Sequence, residues 1–123
     1  MFSHIKTSKE NKEVVTQLTN KLNLGAENVI ARIALAYSLA QDEKLDLKDL
    51  KDSGGKEYSK NVLFGENYDV YLGMICSKYQ IHVSDNDLTK LIKLHIDDGL
   101  TQLASEEKKG EIKDLISLII KNV

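Results

Sequence analysis

Hydrophobic positions recur along this chain mostly three and four residues apart, the spacing that lines one face of an α-helix. Val14, Val15, Leu18 and Leu22 place a first helix near residues 8–22, opened by Thr7 and Glu10 in the spacing of a capping box. Asn23-Leu24-Gly25 closes it, with Gly25 suited to the left-handed conformation that ends helices. A second helix, over about 27–41, carries Val29, Ile30, Ile33, Leu35, Ala36, Tyr37 and Leu39. It is apolar over most of its circumference, which predicts burial on more than one side. Residues 42–60 lose the pattern: charges of both signs from Asp42 to Asp52 give way to Ser53-Gly54-Gly55. They read as a surface loop with at most a short helical turn, long enough to be functional.

Beyond the apolar run Val62-Leu63-Phe64 and Gly65, helical spacing returns at Tyr68, Tyr71, Leu72, Ile75 and Tyr79. Ser84 and Asp87 form a second capping box ahead of Leu88, Leu91, Ile92, His95, Ile96, Leu100 and Leu103, a helix whose end Gly99 is expected to weaken. Ser105 with Glu106 and Glu107 opens a last helix striped by Ile112, Leu115, Ile116, Ile119 and Ile120. The order at the N-terminus, an extended segment from Phe2 to Lys6 and then two helices joined by a tight turn, is that of a ribbon-helix-helix unit. Such units pair through the ribbon and bury their second helix in a dimer; a helical hairpin within a monomer is the plain alternative. The prediction is one mainly α domain over 1–123. It comprises a ribbon-helix-helix-like part (1–41), a loop (42–60) and a helical part (61–123) with about three further helices.

Composition narrows the class. The chain has 123 residues, 41% hydrophobic and 29% charged, enough to bury one core. No apolar stretch approaches the roughly 18–20 residues that span a bilayer, and the polar start MFSHIKTSKENKE lacks a signal-peptide core. One cysteine, Cys76, forms no internal disulfide, which fits a cytoplasmic protein without membrane association. Net charge is −2, unlike the basic balance of a dedicated nucleic-acid binder. Residues 1–60 carry ten basic and nine acidic groups, and residues 61–123 carry seven and ten. Any anion-binding surface therefore belongs to the N-terminal half.

Candidate chemistry is sparse. His4, His82 and His95 form no zinc spacing, and no metal or other cofactor is expected. His95 shares the stripe of Leu88 and Ile92, which suits a packed or hydrogen-bonded histidine better than a catalytic one. Cys76, inside an apolar helix, reads as a small core residue. Gly54-Gly55-Lys56-Glu57 is no P-loop, because Leu50 stands where the first glycine is needed and Glu57 replaces the hydroxyl residue. What remains is two glycine amides that could face a phosphate, with Lys56 and Lys60 adjacent, or a solvated loop. Lys6, Lys9 and Lys12 cluster across the ribbon and the first helical turn, where phosphate contact and ordinary solvation are equally consistent with the pattern.

Three blocks carry a resemblance: Gly55-Lys56-Glu57-Tyr58; Leu63-Phe64-Gly65-Glu66 with Tyr68, Asp69 and Tyr71 behind it; and His95-Ile96-Asp97-Asp98-Gly99-Leu100. With the helix pair around Val29–Leu35, they make the chain similar to the DndE family of DNA sulfur modification proteins over roughly residues 5–104. The resemblance implies a small component of phosphorothioation, in which sulfur replaces a non-bridging phosphate oxygen of DNA. It also implies a ribbon-helix-helix-like fold, a tetramer, and DNA binding with a preference for nicked duplex. Sulfur delivery would belong to other modification proteins. Lys56 is the DNA-binding position that the family block supports, whereas Lys60, Lys6, Lys9 and Lys12 are physical assignments.

The expected function is thus a non-catalytic DNA-binding accessory protein that contacts the phosphate backbone. Two alternatives stay open. One is a ribbon-helix-helix regulator reading bases through Ser3, Ile5 and Thr7. The other is an assembly adaptor of the modification complex that does not bind DNA, which the acidic balance favours.

Overall fold

The computed structural model describes residues 4–110. Strand β1 (His4–Lys6) leads into α1 (Asn11–Lys21) and α2 (Glu27–Leu39). A 3-10 turn at Leu47–Asp49 precedes β2 (Glu57–Ser59), which passes directly into the short α3 (Lys60–Phe64). After a second 3-10 turn come α4 (Tyr68–Tyr79) and the long α5 (Leu88–Lys108). The mainly α expectation therefore holds, with a two-stranded sheet added and one hydrophobic core.

Helix α2 is apolar nearly all round because it is enclosed within its own chain. Ile30, Ala31, Ile33, Ala34 and Leu35 are all buried, and its most extensive packing is against α5. Gly99 makes that contact possible. A Cβ there would stand 2.0 Å from the carbonyl oxygen of Ala34, so the two backbones approach more closely than any side chain permits. Gly99 thus lies inside a continuous 21-residue helix, and the expected weakening does not occur. Ser105, Glu106 and Glu107 likewise belong to α5 and do not open a new helix. The stripe Ile112–Ile120 lies outside the described residues.

Helix boundaries follow rules other than those expected. Thr7 does not cap α1: its hydroxyl bonds to Lys56, and Glu10 pairs with Lys51. The carboxylate of Asp97, from α5, serves the start of α1 instead, accepting from Ser8 N and Asn11 Nδ2, each at 2.9 Å. Ser84 and Asp87 also fail as a capping box, since Ser84 bonds to His82 and α5 begins only at Leu88. At the end of α1 the left-handed residue that closes the helix is Asn23 (φ 54°), with Leu24 N bonded back to Thr19 O at 3.0 Å. Gly25 (φ 85°) then turns the chain into α2.

The largest correction concerns residues 42–60. They are not a loop alone, because β2 lies there and is the partner of β1. The strand–helix–helix order is present, but the ladder of β1 runs to its own chain, with His4 opposite Ser59, Ile5 opposite Tyr58 and Lys6 opposite Glu57.

Candidate nucleic-acid interface

Alternation along the β1–β2 ribbon sorts its side chains. Ile5 and Tyr58 point into the core, and His4, Lys6 and Glu57 are exposed on the other face. One end of the ribbon is sealed by Thr7. Its amide donates to Lys56 O at 2.8 Å, its carbonyl accepts from Gly55 N at 2.9 Å, and its hydroxyl accepts from Lys56 N at 2.9 Å. Gly55 is required at this seam, since a Cβ would lie 2.2 Å from Ser8 O. Asp52 holds the approach to it, accepting from Lys9 N and Gly54 N, both at 2.9 Å. Those backbone donors, Gly54 first, hold its carboxyl below the ordinary aspartate range.

These bonds exclude one of the two readings of the Gly54-Gly55 turn. The amides of Gly54, Gly55 and Lys56 donate within the protein and do not present a cradle to phosphate.

The seam end of the ribbon carries Lys6, Lys9 and Lys56 of the five expected lysines, while Lys60 follows β2 at its other end, beyond the His4–Ser59 pair. Lys6 sits on the exposed ribbon face, Lys9 packs its Cβ beside Gly54, Lys56 leads into β2, and Lys60 follows it. Lys12 lies in the first turn of α1, exposed. Their surroundings differ. Lys56 pairs with Glu27 at 3.2 Å, and Glu27 also accepts from Thr16 Oγ1 at 2.8 Å, which draws this lysine toward the start of α2. The Lys60 ammonium stands 4.2 Å from the ring centre of Tyr68. Lys6, Lys9 and Lys12 are exposed, and Glu57 lies opposite Lys6 in the ladder. Tyr58, raised by burial and by the charge of Glu27, stays a neutral phenol beneath the ribbon.

Two buried polar networks escaped sequence reading. In the first, Lys93 Nζ donates to Asp97 Oδ2 at 2.7 Å and to Asp52 O at 2.8 Å, which ties α5 to the ribbon approach. In the second, Ser38 Oγ lies 2.6 Å from Asp98 Oδ2 and 2.8 Å from His95 Nδ1, while His95 Nε2 lies 2.6 Å from the Tyr79 hydroxyl. Asp98 is an acceptor, so Ser38 donates to it and accepts from His95 Nδ1–H. His95 Nε2 is then the acceptor for Tyr79 O–H, and Tyr79 in turn accepts from Leu45 N at 2.8 Å. Burial, aided by Lys78, lowers His95 to about 4, so the ring is neutral at pH 7. His95 is a hydrogen-bonded core residue, as its stripe position suggests. The local signals for the network were His95 on its apolar stripe and Ser38 on an otherwise apolar helix face. Among the described residues no group of three or more His, Cys, Asp or Glu could hold a metal ion.

The blocks that carry the family resemblance fall on these structural positions. Gly55 is at the seam, Tyr58, Leu63 and Phe64 are in the core, Phe64 stacks near Tyr68 and Tyr71, and His95 and Gly99 face α2. A family model described as DNA sulphur modification protein DndE matches residues 4–111. The chain belongs to the DndE family. A solved structure described as DndE from Escherichia coli B7A, involved in DNA phosphorothioation modification, superposes with a TM-score of 0.66 at 17% identity. The match covers 84% of this chain and 98% of that one, so the DndE fold is shared nearly whole. No curated protein matches the chain. No helix among the described residues is long and apolar enough to cross a membrane. Membership of DndE places the chain in DNA sulfur modification.

Proposed function

We propose that this chain is a non-catalytic, cytoplasmic accessory protein of DNA phosphorothioation that binds the DNA backbone, favours nicked duplex, and works as a homotetramer with the other modification proteins. The observation that carries this reading is the ribbon itself. It brings the lysine-bearing segments 6–9 and 56–60 side by side in a chain whose family acts on DNA. Lysines displace counterions condensed on the duplex, so binding would be phosphate-dominated and weakly sensitive to sequence. A nick relaxes stacking and lowers the energy of bending, which favours a nicked site without base contacts. Four copies of one modest cluster would gain through effective concentration.

The adaptor reading draws on a specific observation too, because Glu27 holds Lys56 and Glu57 faces Lys6. The regulator reading has less support. Ile5 and Thr7, two of its base-reading positions, are buried, and Ser3 lies outside the described residues. Fluorescence anisotropy with intact, nicked and single-stranded DNA of one sequence, at several salt concentrations, decides among them. Tightest binding to the nicked duplex with a steep salt slope supports the accessory role. Binding confined to one sequence points to the regulator, and no binding by a folded oligomer points to the adaptor.

A further inference from the structure

A pocket of about 310 Å³ opens between the ribbon and the first turns of α5. Its polar side chains come from three separate segments: His4 and Lys6 of β1, Ser53 of the seam, and Thr89, Lys90 and Lys93 of α5. No carboxylate among the described residues lines it. Among the described residues the ion pairs use Lys21, Lys48, Lys51, Lys56, Lys93 and Lys109, so neither Lys6 nor Lys90 is spent on one. Lys93 contributes its alkyl stem as wall, since its ammonium is turned to Asp97 and Asp52 O. Two ammonium groups outside the ion pairs, Lys6 with Glu57 opposite it in the ladder and Lys90 on α5, thus flank a concavity that is also lined by the hydroxyl residues Ser53 and Thr89. Ile5 and Leu50 complete the lining with apolar surface.

We infer that this pocket receives a phosphate monoester with its attached sugar, and specifically the terminal phosphate exposed at a DNA nick. A monoester carries close to two negative charges at pH 7 and three acceptor oxygens, which match two ammonium groups and two hydroxyls. A backbone diester carries one charge and is continued by chain on both sides, so it suits the open ribbon face better than a recess. The apolar floor fits the carbon face of a deoxyribose. The inference rests on the DNA-binding reading above and goes beyond it. It assigns nick preference to an end group, whereas flexibility alone would make the end chemistry irrelevant.

The test compares three nicked duplexes of one sequence by anisotropy: phosphate on the 5′ side of the nick, phosphate on the 3′ side, and hydroxyls on both. One phosphorylated form is expected to bind roughly tenfold tighter than the hydroxyl form. Lys90→Ala is expected to erase that difference while leaving the hydroxyl form bound as before, and Lys90→Arg to restore most of it. Lys90 is exposed, so circular dichroism of the variant should match the parent. Equal affinity of the parent protein for all three duplexes overturns the pocket assignment and leaves the DNA reading intact. If no duplex binds, the DNA reading and the nick assignment fail together. A melting temperature then raised by deoxynucleoside monophosphate in the parent but not in Lys90→Ala would show a phosphate monoester site for a free nucleotide, and no rise would overturn the site altogether.

Discussion

A methyl group at Gly99 would lie 2.0 Å from the carbonyl oxygen of Ala34 and 2.5 Å from its carbonyl carbon, both backbone atoms that no rotamer change can move aside. Gly99→Ala must therefore push α2 and α5 apart. Overpacking of this kind costs about 1–3 kcal/mol, enough to outweigh the roughly 1 kcal/mol that alanine gains over glycine in a helix. Urea unfolding of the variant should show a lowered midpoint; an unchanged midpoint would mean that the interface yields freely. Gly55 faces the same restriction at the seam, against Ser8 O. Both glycines stood out in the sequence, but as a helix weak point and a phosphate cradle. The atom that forbids a Cβ belongs in each case to another segment, and no local pattern displays it.

At the scale of elements, α1, α2, α4 and most of α5 were legible because their apolar stripes are made by the core they face, whereas the short α3 was read only as an apolar run. The second helix matches its expected span to within two residues at its end, and α4 begins and ends at two of the tyrosines that define its stripe. Caps were not legible. A hydroxyl or carboxylate at capping distance is open to any better partner, and Thr7 and Glu10 each found one across the ribbon seam. The hydrogen-bonded chain from Leu45 through Tyr79, His95 and Ser38 to Asp98 joins α2, α4 and α5 and requires a neutral imidazole. His95 titrates near 4 when folded against 6.5 when exposed. Between those values the unfolded chain takes up a proton that the folded one refuses, so stability is full above about pH 6.5 and falls as the pH drops toward 4. The loss is on the order of 3 kcal/mol at most. Urea unfolding at pH 7 and pH 5 should show a larger drop for the parent protein than for His95→Gln, and equal drops would remove His95 as the cause.

The whole molecule carries a slightly acidic charge and only four of its lysines lie in the paired segments 6–9 and 56–60, which is why net charge alone gave no hint of DNA. Of the residues proposed to meet phosphate, Lys6, Lys9, Lys12, Lys56 and Lys60 were named from the sequence, whereas Lys90 was not, because its place beside Lys6 exists only after α5 packs on the ribbon. Lys56→Ala is expected to weaken binding to every duplex alike and to reduce the salt slope by about one, with helicity and oligomer mass unchanged. Glu27→Gln should act in the opposite sense by releasing Lys56 from its ion pair. Anisotropy at two salt concentrations reads both, and an unaltered affinity in Lys56→Ala would remove this lysine from the surface. The ribbon seam has one more consequence. Thr7 and Lys56, which close it, stand 49 positions apart in the chain. A chain still leaving the ribosome, or one cut between α2 and β2, lacks the second strand and has no ribbon. On the proposed reading, a DNA surface built on the ribbon is complete only in molecules whose synthesis and folding have run past β2.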